Sequence, residues 1–160
     1  MNTKYKTSTN FSKDNYNKLS PSAIFSLYKS LKSDIPFSPC NCTFIYKIGN
    51  AICTCEVNNI PKNLFLPSAE YLILDFVSDK DDSVSVTFTP DSISVSAFLP
   101  YDYQNTKAFV KDFIDLTENN IKQSDNSHKA CNKKADKFKR FLKDAFSFIV
   151  FLIKLIKSLL

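Results

Sequence analysis

The chain has 160 residues, 44% of them hydrophobic and 14% aromatic, which allows one folded domain with tails. Its net charge of +5 is unevenly placed: residues 1–19 carry four Lys against one Asp, residues 20–121 seven Lys against twelve acids, and residues 122–160 ten Lys/Arg against three acids. An acidic middle argues against a phosphate-binding surface there, because nucleic-acid affinity comes mainly from clustered cations.

Residue usage adds to this. There is one Gly and one His, while Lys, Asn, Ile, Phe, Tyr and Ser are plentiful, as A/T-rich codons would produce. Met1 to Ser20 has no apolar run of the kind that directs secretion. The five cysteines are an odd number. Both points suit a reducing compartment rather than a disulfide framework.

In chain order, residues 1–19 are expected to form a disordered polar arm, with too little apolar surface to offset the entropy of ordering. Ser20 is a good N-cap and Pro21 suits the first helical position, so Ser20 to Lys32 is expected to be a helix. Ile24, Leu27, Tyr28 and Leu31 give it one apolar stripe. Thr43 to Val57 is expected to be a hairpin turning at Gly49-Asn50, with Ile48 opposite Ala51, Tyr46 opposite Cys53 and Phe44 opposite Cys55. Asn58 to Glu70 is a loop. Tyr71 to Val77 is a strand burying Leu72, Leu74 and Phe76.

Asp79-Lys80-Asp81-Asp82 is expected to be a solvated turn. It lacks the Gly and the spaced ligands of a Ca²⁺ loop. The next hairpin, Ser83 to Phe98, turns at Pro90-Asp91. A two-residue loop pairs Phe88 with Ile93, Val86 with Val95 and Val84 with Ala97, which puts every Ser and Thr on the other face. A helix capped by Asp102 follows and is expected to end at Asn119-Asn120, with Phe109, Val110, Phe113, Ile114 and Leu116 apolar. The fold class is therefore α+β: a five-stranded antiparallel sheet with two helices on one face over 20–121. A basic linker (122–134) and a C-terminal amphipathic helix (135–160) complete the chain.

Residues 83–119 resemble the end of the YbjN and type III secretion chaperone-like superfamily, where a hairpin runs through a Leu-Pro-x-Asp corner into a long amphipathic helix. Leu99-Pro100-Tyr101-Asp102, Phe109, Val110 and Phe113 carry the likeness. The sequence departs from that pattern in having only Ser78 to Ser83 where a central helix is usual between the third and fourth strands, so the dimerisation such proteins use is not implied for this chain. The resemblance implies a non-enzymatic domain that binds another polypeptide. A single TATA-binding-protein-like repeat has similar element lengths, but the acidic domain speaks against it.

Catalytic sets are hard to find. A single Gly excludes a Gly-rich phosphate loop, and the one His, His128, lies in the polar linker away from any partner. Cys40, Cys42, Cys53 and Cys55 form two CxC units flanking the first hairpin. Four thiolates on one patch are a zinc-like set. An extended CxC, however, holds its sulfurs roughly 6–7 Å apart, and the plainer reading makes Cys53 and Cys55 small residues opposite Tyr46 and Phe44. No cofactor, metal or catalytic residue is expected.

The segment 135–160 (ADKFKRFLKDAFSFIVFLIKLIKSLL) is more informative. Polar residues (Asp136, Arg140, Lys143, Ser147, Lys154 and Ser158) recur every three or four positions, except for one gap at Val150/Phe151, as a narrow stripe beside a wide apolar face of Phe138, Phe141, Leu142, Phe146, Ile149, Leu152, Ile153 and Ile156. Its charge-free run, Ala145 to Ile153, is far short of the about 20 residues of a span. Lys133, Lys134, Lys137, Lys139, Arg140 and Lys143 suit anionic lipid. The pattern fits a helix lying in the plane of a cytosol-facing membrane, and packing on the domain or self-association is the alternative. The expected function is a protein- or peptide-binding domain held at a membrane. Two other readings stand behind it: a membrane-perturbing or oligomerising protein whose C-terminal helix is the active part, and, ranked last, nucleic-acid binding through the basic tails.

Overall fold

The computed structural model describes residues 2–39 and 41–123. Its elements in chain order begin with β1 (Thr3–Asn10), α1 (Lys13–Asn17), α2 (Pro21–Lys32), β2 (Asn41–Ile48) and β3 (Ala51–Glu56). Two 3-10 turns, at Val57–Asn59 and Leu66–Ser68, precede β4 (Tyr71–Val77), β5 (Ser83–Phe88) and β6 (Ser92–Leu99). A third helix, α3, covers 103–123. The architecture is α+β, and its one antiparallel sheet has the order β1-β6-β5-β4-β2-β3.

Strict alternation sets the registers. Both expected hairpins form as the sequence predicts: Phe88 pairs with Ile93, Val86 with Val95 and Val84 with Ala97, and Ile48 pairs with Ala51, Tyr46 with Cys53 and Phe44 with Cys55. Gly49 has φ +56°, which a two-residue hairpin loop needs at its first position. At the second turn, Thr89 and Ser92 close Pro90-Asp91 through the Thr89 N–H bond to the Ser92 carbonyl at 2.9 Å. Leu72, Leu74, Phe76, Val84, Val86, Phe88, Ile93 and Val95 are then buried on one face. Ser85, Thr87, Ser94 and Ser96 share the other face.

The helices meet the buried face. Tyr28 of α2 stacks on Phe76 with ring centroids 6.0 Å apart, and Tyr103 at the start of α3 meets Tyr5 of β1 edge-on at 5.7 Å. Ser20 caps α2, its hydroxyl accepting the Ala23 N–H. The Asp102 carboxylate accepts the Asn105 N–H at 2.8 Å and starts α3. Residues from α2, α3 and the sheet contribute to a single core.

Three expectations are corrected. The sheet has six strands, not five, because the expected disordered arm (1–19) is folded. Thr3–Asn10 pairs along its whole length with β6, from Thr3 opposite Leu99 to Asn10 opposite Ser92. Phe11, Tyr16 and Leu19 join the core, and α1 adds a helix capped by Ser12. The arm looks disordered by composition because an edge strand needs few apolar residues: its stabilisation comes from the ladder and from half-buried Tyr5, Thr7 and Thr9.

The second correction concerns α3, which runs through Asn119-Asn120. The Asn120 amide donates to the Leu116 carbonyl at 2.9 Å, and Ile121 continues the apolar stripe into the core. The third concerns the acidic turn, which is not fully solvated. Asp82 is buried: its carboxylate accepts from the Asn2 amide at 3.1 Å, and the Ser78 hydroxyl accepts the N–H groups of Lys80 and Asp82.

The chain divides into two units, Met1–Ile121 and Lys122–Leu160. His128, Cys131, most of the linker and the segment 135–160, including every residue assigned to membrane or anionic lipid, lie outside the described residues. Among the described residues no helix is long and apolar enough to cross a membrane.

Candidate interaction surface

The β2–β3 hairpin and the chain on either side of it carry an edge of the sheet and two clefts. Because β2 pairs with both β3 and β4, β3 is left at the edge of the sheet. Its Ile52 is 63% exposed. After β3, the 3-10 turn at Val57–Asn59 carries the chain back beneath the start of α2, with Val57 and Ile60 buried.

Two clefts flank that turn. The larger, about 420 Å³, has Pro21, Phe25, Val57 and Ile60 as its apolar lining, with Asn58 and Lys62 among its polar lining. Phe25 is half-buried, and the Lys29 ammonium sits 4.5 Å from its ring centroid. The smaller, about 330 Å³, is more polar and includes Tyr28, Lys32, Cys42 and Glu56. Hydrogen bonding to Tyr28 holds the Lys32 ammonium above the ordinary lysine range.

The thiols are spread along this hairpin. Cys40 lies outside the described residues. Cys42 stands opposite Phe76 of β4, while Cys53 and Cys55 stand opposite Tyr46 and Phe44. Cys42, Cys53 and Cys55 are all half-buried. Among the described residues no three His, Cys, Asp or Glu side chains converge on a point that a metal could occupy. Burial pushes the Cys55 thiol up, and the neighbouring Cys53 adds to this. A raised thiol is a poor nucleophile and a poor metal ligand at neutral pH. Burial, and after it the adjacent Cys53, also push the Tyr46 phenol up.

The remaining polar contacts hold structure. Lys47 pairs with Glu70 at 2.6 Å, which raises the lysine and fixes the loop before β4 against β2. The Glu70 N–H donates to the Lys47 carbonyl in the same place. Ser85 donates to Asp75 across the open face of the sheet.

The sequence singled out the hairpin through its cysteines and missed both the cleft and the free edge. Phe25 was the available signal, since it lies outside the stripe of Ile24, Leu27, Tyr28 and Leu31 yet is aromatic. Comparison with protein-family models, curated proteins and solved structures found no match to this chain.

Proposed function

We propose that the chain is a non-enzymatic polypeptide-binding domain, chaperone- or adaptor-like, held at a cytosol-facing membrane surface by residues 135–160. The observation that carries this reading is the cleft of about 420 Å³ at the start of α2. Its size and apolar lining suit one bulky apolar side chain of a partner, with polar groups left to orient the partner's backbone. The likeness of residues 83–119 to the YbjN and type III secretion chaperone-like superfamily favours the same class of partner. The membrane half of the reading rests on the wide apolar face and basic cluster of 133–156.

Selection of random displayed peptides on the full chain tests the cleft. The expected result is enrichment of peptides with Phe, Leu or Met that lose binding to a Phe25→Glu variant. Peptides that bind that variant equally well, or no enrichment at all, would overturn the reading. Flotation of the chain on liposomes, with and without residues 135–160, tests the membrane half separately.

A further inference from the structure

The two edges of the sheet are built differently. β1 carries Lys4 and Lys6 on the open face, a common guard against edge-to-edge pairing. β3 (AICTCE) has no Lys and no Pro, and its one-to-one register with β2, from Thr43 opposite Glu56 to Ile48 opposite Ala51, contains no bulge. Among the described residues no strand pairs beyond it. It is an unguarded edge with an exposed Ile52.

The hairpin determines which backbone groups are free. A two-residue loop at Gly49-Asn50 makes Ile48 and Ala51 a hydrogen-bonded pair, and such pairs alternate along an antiparallel ladder. Ala51, Cys53 and Cys55 therefore bond inward to β2. Ile52, Thr54 and Glu56 direct their N–H and C=O groups outward, and all three are exposed.

We propose that a second copy of this chain occupies that edge, its β3 pairing antiparallel with the first about a two-fold axis at Cys53. A two-fold axis normal to the sheet keeps the same face of both copies on the same side. The paired residues must then share a face, and the outward-bonding residues must meet one another. Centring on Cys53 satisfies both conditions. Ile52 faces Thr54 of the other copy twice, a favourable β-branched pair. Glu56 falls opposite the polar Asn50, and no like charges are opposed. Centring on Thr54 would instead set Ile52 against Glu56 twice.

The result joins two six-stranded sheets into one, whose remaining edges among the described residues are the two lysine-guarded β1 strands. A six-residue edge is small beside a standard interface of about 1,600 Å². The dimer is accordingly dissociable, and attachment of both copies to one membrane would favour it.

This register predicts a chemical signature. Cys53 and its symmetry mate form a non-hydrogen-bonded pair with Cα atoms about 4.5 Å apart, inside the range of about 4.4–6.8 Å that a disulfide accepts. Diamide takes two electrons and two protons from two thiols and is reduced to the hydrazine, so it reports such a pair as a covalent dimer. With the full chain in mild non-ionic detergent, the expected cross-link is lost in Cys53→Ser and kept in Cys55→Ser. Sedimentation gives a second readout. Thr54→Pro removes an outward N–H that β2 does not use, so it should halve the sedimenting mass without lowering the thermal midpoint appreciably. A wild-type chain that stays monomeric across the micromolar range would overturn the proposal. So would a Thr54→Pro variant that folds and stays dimeric, or a cross-link that survives Cys53→Ser. The partner cleft is separate, and peptide selection by Thr54→Pro shows whether it stands when the dimer fails.

Discussion

The Tyr16 hydroxyl donates a 2.9 Å hydrogen bond to the Ala69 carbonyl, joining the N-terminal segment to the loop before β4. Tyr16 is 1% exposed, and burial pushes its phenol up to about 12. A buried phenol favours its neutral form, so the folded state holds the proton more tightly than the unfolded state, where the group titrates near 10. Stability from this source is complete below pH 10 and is lost as pH rises through 10 to 12. Tyr16→Phe leaves the Ala69 carbonyl without that donor and should cost about 1–2 kcal/mol at neutral pH. The gap between the urea midpoints of wild type and variant should then narrow from pH 8 to pH 11, because the Tyr16 share of the alkaline loss is confined to the wild type. Equal slopes with pH in both proteins would sink the assignment.

Removing residues 2–11 tests the folded arm directly. The truncation deletes β1 and Phe11, and it exposes β6 from Ser92 to Leu99 as a new edge without lysines. The expected outcome is loss of a cooperative melt or aggregation on warming. A disordered arm would leave the melting curve unchanged.

Two buried threonines of α3 offer a controlled comparison. Thr117 donates to the Phe113 carbonyl at 2.8 Å, while the equally buried Thr106 hydroxyl has no partner among the described residues. An unsatisfied buried hydroxyl is costly, so Thr106→Val should stabilise the fold by about 1 kcal/mol. Thr117→Val loses a bond and should not stabilise it. Thermal or urea unfolding of both variants reads the sign.

Where the chain was legible, contrast between neighbours made it so. The β5–β6 register follows from Val and Ile alternating with Ser and Thr, and the β2–β3 register from a single Gly. β1 lacked that contrast: its inward residues are Tyr5, Thr7 and Thr9, and its partner β6 lies more than 80 residues away. The burial of Asp82 depends on Asn2, which is equally remote. Sheet order was hidden as well. The chain order β2, β3, β4 suits a meander with β3 in the middle, whereas β4 pairs with β2 and leaves β3 outside. The cleft was illegible because its lining comes from the start of α2 and from residues 57–62, two segments that only the closed fold brings together.

The two faces of the central hairpin should respond oppositely to the same side chain. Val86 is fully buried between Leu74 and Val95, so Val86→Lys places an unpaired charge in the core and should unfold the domain. Ser85 faces the open side and donates to Asp75. Ser85→Lys loses that bond but sets an ammonium beside the carboxylate, and should cost less than about 1 kcal/mol. Circular dichroism of the two proteins at one temperature separates them, and similar losses in both would mean that the faces are misassigned.

The membrane contact proposed for residues 135–160 should, on its sequence pattern, have two separable parts. Burial of the apolar face contributes about 25 cal/mol per Å² of surface removed from water. The Lys and Arg residues add attraction to anionic lipid near 1 kcal/mol per cation at the surface, weakening as salt rises. Ile149→Glu with Leu152→Glu should therefore abolish flotation with any liposome. Neutralising Lys133, Lys134, Lys137 and Lys139 should remove only the preference for anionic lipid and its salt dependence. Dye released from the same liposomes by the wild-type chain would assign the active role to the segment itself rather than to the domain it tethers. Deletion of 135–160 supplies the control. The core assembled from residues 11–121 already includes α2, α3 and one face of the sheet, so the shortened chain should remain soluble and melt cooperatively. If it precipitates or loses that transition, residues 135–160 belong to the core, and their wide apolar face is packing surface instead of a lipid contact.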